Sequence, residues 1–372
     1  MVILVAPDKF KGTLPAEEAA AAMASGAQRV FPDARIEVQP LADGGEGTVD
    51  ALLAGVGGEV ESTIITGPLG APIEAHYGLL NDGSIAIEVA SATGIARLSP
   101  DQYAPLEATS RGVGDLIAVI IERHPGAPIL IGIGGTASTD GGTGAAAALG
   151  YRFLDARGRE LPPGGGSLVN LERIDPTGAV RPSGVIGLCD VLNPLLGPRG
   201  CARVYGPQKG ATPEQVAVLE AAMATFAERV QIDLGLDIAD LPGSGAGGGL
   251  GAGLAAFIEA ELRPGSGLIA KTVGLEDQIR GAELVITGEG SLDHQSLEGK
   301  VPAGVAKTAL EVGVPCVVIA GRIELPEGEL RAAGFARWAS TVEVAGRDRA
   351  VAEPAAAVEE ATAAALTAFR DP

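Results

Sequence analysis

The sequence is poor in aromatic rings, in cysteine and in positive charge, and each shortage excludes a class of function. Aromatics are 3% of the 372 residues, with a single Trp. A core must therefore be assembled from Ala, Val, Ile and Leu, and there are too few rings to stack nucleic-acid bases. Lys and Arg number 27 against 47 Asp and Glu, a formal net charge of −20. No Lys/Arg stripe interrupts that balance, so nucleic acid is not an expected partner. An anionic substrate would have to be held by local positive charge: backbone N–H groups, a few Lys and Arg, or a metal ion. The three cysteines, Cys189, Cys201 and Cys316, show no C-x-x-C spacing, which fits reduced thiols in a cytosolic protein. Met1 leads straight into a short apolar run ending at Pro7, unlike a secretory signal. No apolar stretch approaches the roughly 18 residues of a membrane span. A soluble, cytoplasmic protein without a membrane partner is the expectation.

Glycine is abundant, at 55 residues, with no collagen period. The glycines gather in loops, most of them directly after short apolar runs. VILVA (2–6) leads into Pro7-Asp8-Lys9-Phe10-Lys11-Gly12-Thr13. IEVQP (36–40) leads into Leu41-Ala42-Asp43-Gly44-Gly45-Glu46-Gly47-Thr48. PILIGI (128–133) leads into the loop 134–144, VIGLC (185–189) into Asp190-Val191-Leu192-Asn193, and ELVI (283–286) into Thr287-Gly288-Glu289-Gly290-Ser291-Leu292-Asp293. In α/β enzymes the sites lie at the carboxyl ends of parallel strands, on loops leading into helices. Glycine for close approach, with a carboxylate or lysine beside it, points to an enzyme that handles a phosphate-bearing ligand.

The length suggests two domains. Residues 1–55 read as two strand-loop-helix units, the first helix starting near Pro15. Residues 59–90 read as antiparallel strands, with Asn81-Asp82-Gly83 as a hairpin signal. Ser110 should cap a helix over 110–124, and Thr212-Pro213-Glu214-Gln215 is a capping box for one running to about 231. The Gly-rich 243–253 leads into a further helix, AGLAAFIEAEL. The strand-loop-helix rhythm returns after 283. We therefore expect an α/β protein of two domains: a discontinuous Rossmann-like parallel-sheet domain over 1–69 plus 283–372, and an inserted mixed α/β domain over 70–282.

Among the candidate residues, the loop 134–144 is the foremost phosphate cradle. It offers Gly134, Gly135, Thr136, Ser138 and Thr139 as donors, carries Asp140, and opens a helix whose N-terminus favours an anion. Its plain alternative is a tight turn with a cap. Lys9 and Lys11 would share one face of an extended segment and suit a carboxylate or phosphate. Asp43 and Glu46, flanking Gly44 and Gly45, suit Mg²⁺ or a substrate hydroxyl, or simply a helix start. Asp190 at the mouth of a buried strand is a natural general base or metal ligand, with Asn193 close by; an Asx turn is the alternative. Glu289 and Asp293 carry the same two readings. Arg322 is a candidate phosphate clamp, and His294 a weaker acid/base candidate. Neither a P-loop nor a protein-kinase signature is present. The G-x-G-x-x-G at Gly243, Gly245 and Gly248 follows no strand-like run.

Taken together, APDKFKGTL (6–14), PLADGGEGT (40–48), GIGGTASTDGG (132–142), CDVLNPLLG (189–197), YGPQKGA (205–211) and VITGEGSLDHQSLEGK (285–300) resemble the bacterial glycerate kinases of the glycerate 2-kinase type. The resemblance runs from residue 6 to about 322. It implies ATP-dependent phosphorylation of D-glycerate with Mg²⁺, and a two-domain α/β fold with one Rossmann-like or flavodoxin-like domain. It adds Lys209 and Lys300 to the phosphate-binding candidates. Asp190, Asp43 and Glu289 become candidate metal ligands. Asp190, Lys9, Lys11 and Arg322 become candidate catalytic groups. A kinase for another small hydroxy acid and a non-catalytic sensor remain as alternatives, and a homo-oligomer is left open.

Overall fold

The computed structural model describes residues 1–297 and 299–371. Its strands, in chain order, are β1 (Val2–Val5), β2 (Arg35–Val38), β3 (Gly58–Thr66), β4 (Pro72–Leu80), β5 (Ile85–Glu88), β6 (Ile129–Gly132) and β7 (Arg152–Leu154). There follow β8 (Arg173–Asp175), β9 (Val185–Leu188), β10 (Glu261–Arg263), β11 (Leu284–Leu292), β12 (Cys316–Ile323) and β13 (Phe335–Ser340). The chain divides into two compact units. One holds Met1–Asp43, Asp50–Gly57 and the chain from Gly265 onward; the other holds Gly44–Val49 and Gly58–Pro264.

The sheet of the first unit has the order β13-β12-β11-β1-β2, and every pairing in it is parallel. Numbered along this unit's own strands the order is 2-1-3-4-5, the flavodoxin-like arrangement. Its central strands are continuous apolar runs because helices cover both faces of such a sheet. Ile3 to Val5, Leu284 to Ile286 and Val317 to Ala320 are fully buried. Helices Ala16–Val30 and Pro354–Arg370 pack over Ile3, Val5, Leu284, Ile286, Val317 and Ile319. The same buried cluster takes Ala19, Ala20, Ala27, Ala361 and Ala365 from these two helices. At Gly26 an added Cβ would stand 2.8 Å from the Thr362 Cβ. Small side chains let the helices approach closely, which is how an aromatic-poor sequence reaches core density.

The loop expected after ELVI is strand instead. β11 continues to Leu292 and pairs with β12 as far as Leu292↔Ile323, with Glu289 opposite Ala320. Glycine permits this by removing side chains where backbones meet. A Cβ on Gly290 would stand 2.9 Å from the Lys11 backbone nitrogen.

The second unit contains a six-stranded sheet, β10-β9-β6-β5-β4-β3. β3, β4 and β5 pair antiparallel, and the hairpin turn at Gly83 has φ +85°. β5 also pairs parallel with β6, so the segment 59–90 leads into the parallel half. Helix Pro213–Leu234 starts with the capping box at Thr212 and Gln215. Helix Ala246–Ile258 stops short of the expected end, and Glu261–Arg263 becomes β10. Within that helix Gly247, Gly248 and Gly249 are left-handed, with φ of 61°, 71° and 87°. No helix among the described residues is long and apolar enough to cross a membrane.

Candidate active site

In the first unit the strand order reverses between β1 and β11, and ligands of such sheets bind outside the carboxyl ends at that point. The sequence places acids there from both strands. Asp8 and Lys9 follow β1, Glu289 lies in β11, and Asp43 follows β2. The Lys9 ammonium donates to the Asp43 carboxylate at 2.9 Å and lies 3.6 Å from the Asp8 carboxylate. The Lys9 backbone N–H donates to Asp8 Oδ1 at 2.7 Å.

Asp8 is only 4% exposed. Burial, with the negative charge of Asp43 beside it, pushes its pKa up to about 7 against the pull of Lys9. Glu289 is also buried and also raised to about 7, chiefly by desolvation, while Ser296 and the Lys300 charge pull the other way. Its Oε1 has no hydrogen-bond partner. Taking a carboxylate from water without such compensation is costly. Two near-neutral carboxyl groups at a sheet's switch point are a functional-site signature. Asp8 was not among the residues the sequence singled out. The available signal was its position: the first ionisable side chain after β1.

Lys11 departs from expectation. It begins a turn closed by the Phe10↔Leu14 bridge, with Gly12 at φ +82°. The segment is bent, so Lys9 and Lys11 do not share an extended face, and Lys11 is exposed. Arg322 ends on the surface, its side chain 64% exposed and paired with Glu324 at 3.3 Å. His294 is exposed and lies 3.2 Å from Glu329. Lys300 precedes the helix Val301–Val312 as its N-cap residue.

Among the described residues no three His, Cys, Asp or Glu side chains are grouped to hold a metal. Mg²⁺ in phosphoryl-transfer sites needs only one or two carboxylates, completed by phosphate oxygens and water. Asp43 and Glu289, with the latter's unpartnered Oε1, suit that mode.

In the second unit the loop 134–144 is built differently from its expected use. Asp140 is fully buried. Its carboxylate accepts from the Ser110 N–H at 2.8 Å and the Ser110 hydroxyl at 2.9 Å. It also accepts from the N–H groups of Gly142 at 3.3 Å and Gly144 at 3.2 Å. The N–H groups of Gly142 and Gly144, at the helix end of the loop, thus serve the protein's own carboxylate, which fills the helix-start anion position itself. Ser110 stands at the expected N-cap without capping; its hydroxyl instead accepts from the Ala145 N–H at 3.0 Å. Thr136, Ser138 and Thr139 are buried as well, leaving Gly134, Gly135 and Gly144 as the accessible part of the loop.

Lys209 is buried too. Its ammonium donates to the Thr136 hydroxyl at 2.9 Å and the Ser138 carbonyl at 2.5 Å, and burial lowers its pKa to about 8. It braces this loop. Asn193 braces another: its amide donates to the Arg199 carbonyl and its Oδ1 accepts from the Tyr205 hydroxyl, both at 2.8 Å. Gly44 is where the chain presses against β9, since a Cβ there would stand 2.6 Å from the Leu188 carbonyl oxygen. Glu46 is exposed, and Asp190 is half-buried just past β9. The Cys189 thiol is pushed up to about 11 by burial, which makes it a packing residue rather than a nucleophile.

Comparison with known proteins agrees with this reading. The model of the glycerate kinase family matches residues 3–370. The chain is similar to the glycerate 2-kinase of Escherichia coli (strain K12), with 44% identity over 327 residues, 87% of this chain and 86% of that one. It is equally similar, at 44% over 328 residues, to the glycerate kinase of Bacillus subtilis (strain 168), covering 87% and 85% of the two chains. Its fold matches the crystal structure described as "putative glycerate kinase 2" from Salmonella typhimurium LT2, at TM-score 0.80 and 39% identity over the whole of both chains.

Proposed function

The chain belongs to the glycerate kinase family, phosphotransferases with an alcohol acceptor, and from that premise we propose that it transfers the γ-phosphoryl group of ATP to the 2-hydroxyl of D-glycerate. The observation that supports this most directly is the group Asp8, Lys9, Asp43 and Glu289 at the switch point of the first unit's sheet.

Phosphoryl transfer demands alignment and charge neutralisation more than covalent chemistry. Lys9, held by Asp43 and Asp8, supplies a fixed positive charge for the transferring group. Lys300 adds a second one. Asp43 and Glu289 would hold Mg²⁺, which when bound neutralises phosphate charge. The hydroxyl oxygen forms a bond to the γ-phosphorus as the bond to the bridging oxygen breaks, and the hydroxyl proton passes to a carboxylate. Asp190 is our first candidate for that base because it stands at the end of β9. Asp8 is the second, because a pKa near the working pH is what a general base requires.

The test is a coupled assay with purified protein, ATP, Mg²⁺ and D-glycerate, with phosphorus NMR of the product. Glycerate-dependent ADP release with 2-phosphoglycerate as product is expected. Formation of 3-phosphoglycerate would change the acceptor hydroxyl. Turnover only with another hydroxy acid would change the substrate, and no turnover with any acid would overturn the reading.

A further inference from the structure

The first unit contains a cavity of about 520 Å³ that no residue assigned to the chemistry above lines. Its walls are Leu41, the helices Gly265–Thr272 and Leu275–Arg280, and the first turns of helix Val301–Val312. Two of its lining residues are glycines that the fold by itself does not explain. Gly267 and Gly304 lie inside helices, with no left-handed backbone that would call for glycine. A Cβ at either would meet nothing within 4 Å. Glycine in a helix costs about 1 kcal/mol relative to alanine. At two other helical glycines the cost has a visible reason: Gly26 lies against Thr362, and Gly253 against Gly141 and Gly142. The helical Gly328 is open like Gly267 and Gly304 but lies outside the cavity. At Gly267 and Gly304 no part of the protein needs the room.

The position of the cavity indicates what does. Leu41 stands two residues before Asp43, and Val301 directly follows Lys300, so two walls are continuous with the group that carries the chemistry. The volume lies within the range of cofactor pockets and far exceeds a three-carbon acid. Ala270, Leu275, Val301 and Val305 make much of the lining apolar, and its charged side chains are two acids, Glu276 and Asp277, against the single Lys271. Such walls disfavour a small carboxylate. They suit an uncharged flat ring with amino and hydroxyl groups for Asp277 to accept from.

We propose that this cavity holds the base and ribose of the nucleotide donor, lying flush against the helix backbones at Gly267 and Gly304, with the triphosphate passing the N-terminus of helix Val301–Val312 and Lys300. The proposal rests on the kinase reading above and deepens it. A helix N-terminus with a lysine beside it favours the phosphates, and absent side chains let the ring approach the backbone.

The experiment measures ADP and inorganic tripolyphosphate binding by calorimetry on the full chain. It compares the unsubstituted protein with Gly304→Ala, Gly304→Leu and Gly267→Leu, with a thermal melt of each and KM values for ATP and D-glycerate. Gly304→Ala should melt at the same temperature or higher, because it is the better helix former, yet bind ADP several-fold more weakly. The leucine variants should weaken ADP at least tenfold and raise the KM for ATP, while tripolyphosphate affinity and the KM for glycerate change less than about twofold. Folded variants that bind ADP as tightly as the unsubstituted protein would overturn the pocket and leave the glycerate reading intact. Selective loss of ADP binding in a protein that does not phosphorylate glycerate would keep the pocket and overturn the acceptor. A protein that binds no ADP overturns both. If a leucine variant does not fold, Gly304→Ala decides.

Discussion

Two buried carboxylates, one in each unit, show how alike two sequence motifs can look and how differently they are used. Asp8 and Asp140 both follow an apolar strand in a loop carrying glycine and threonine. Asp140 is ringed by four donors, two from Ser110 and two from the backbone of its own turn. Asp8 has the N–H of Lys9 and shares that residue's ammonium with Asp43. A carboxylate ringed by donors becomes a building element of the fold. A buried one short of donors and close to other acids is held near neutrality, where it is available for chemistry. The distinction lies in the donor count, which residue type and spacing do not reveal.

Substitutions can break this comparison, and the largest effect should come from the first unit. Glu289→Gln should lower kcat by about a hundred- to ten-thousand-fold without lowering the melting temperature, since Gln removes a desolvated acid. A variant with near-normal kcat would remove Glu289 from the site. In the second unit Asp140→Ala should do the reverse. Four donors lose their acceptor, two of them from one serine, and stability should fall by about 3–5 kcal/mol. The protein that remains folded should keep its specific activity within a few-fold, measured at a temperature well below the melt. A kcat collapse in well-folded Asp140→Ala would return that residue to the reacting groups.

The pH dependence of stability sharpens the contrast. Folded Asp8 holds its proton to about pH 7, and the ordinary carboxyl of the unfolded chain only to 3.8. The folded state therefore binds more protons between those values, so stability falls as pH rises through that window and stays reduced above it. Asp8→Asn should accordingly gain about 1–3 kcal/mol at pH 8 and nothing below about pH 4. Thermal melts across that range test it, and a gain that grows with acidity would refute it. The kinetic limb near pH 7 should vanish in Asp8→Asn only if Asp8 is the base; Asp190→Asn is the matching control.

Smaller effects close the series. Lys209→Met gives up two hydrogen bonds but also a buried charge, and should cost about 1–2 kcal/mol. Arg322→Ala removes an exposed side chain and a surface ion pair, and should change stability by less than about 0.5 kcal/mol. Glycerate kinetics altered more than about threefold by Arg322→Ala would restore its role as a clamp.

Much of this was legible in the sequence because it is local. Apolar runs marked β1, β2, β6 and β9; Thr212, Pro213 and Gln215 marked a helix start; Asn81-Asp82-Gly83 marked a hairpin. Lys9, Asp43 and Glu289 were selected as candidates and come together in one unit. What went unread depended on partners far along the chain. Gly288, Gly290 and Gly321 look like loop residues and are strand residues, because their neighbours are backbone atoms of other segments. Lys11 was read as extended because the bridge from Phe10 to Leu14 has no signature in the residue types between them. The donors around Asp140 come in part from Ser110, 30 residues away.

The sequence by itself determined the α/β class, the family and the residue types available for phosphoryl transfer, because periodicity, turn chemistry and motif order are properties of short segments. Only the tertiary structure decided which acids are spent on the fold and which are left to react. Desolvation and donor count are set by what surrounds a side chain in space, and those neighbours are distant in the chain.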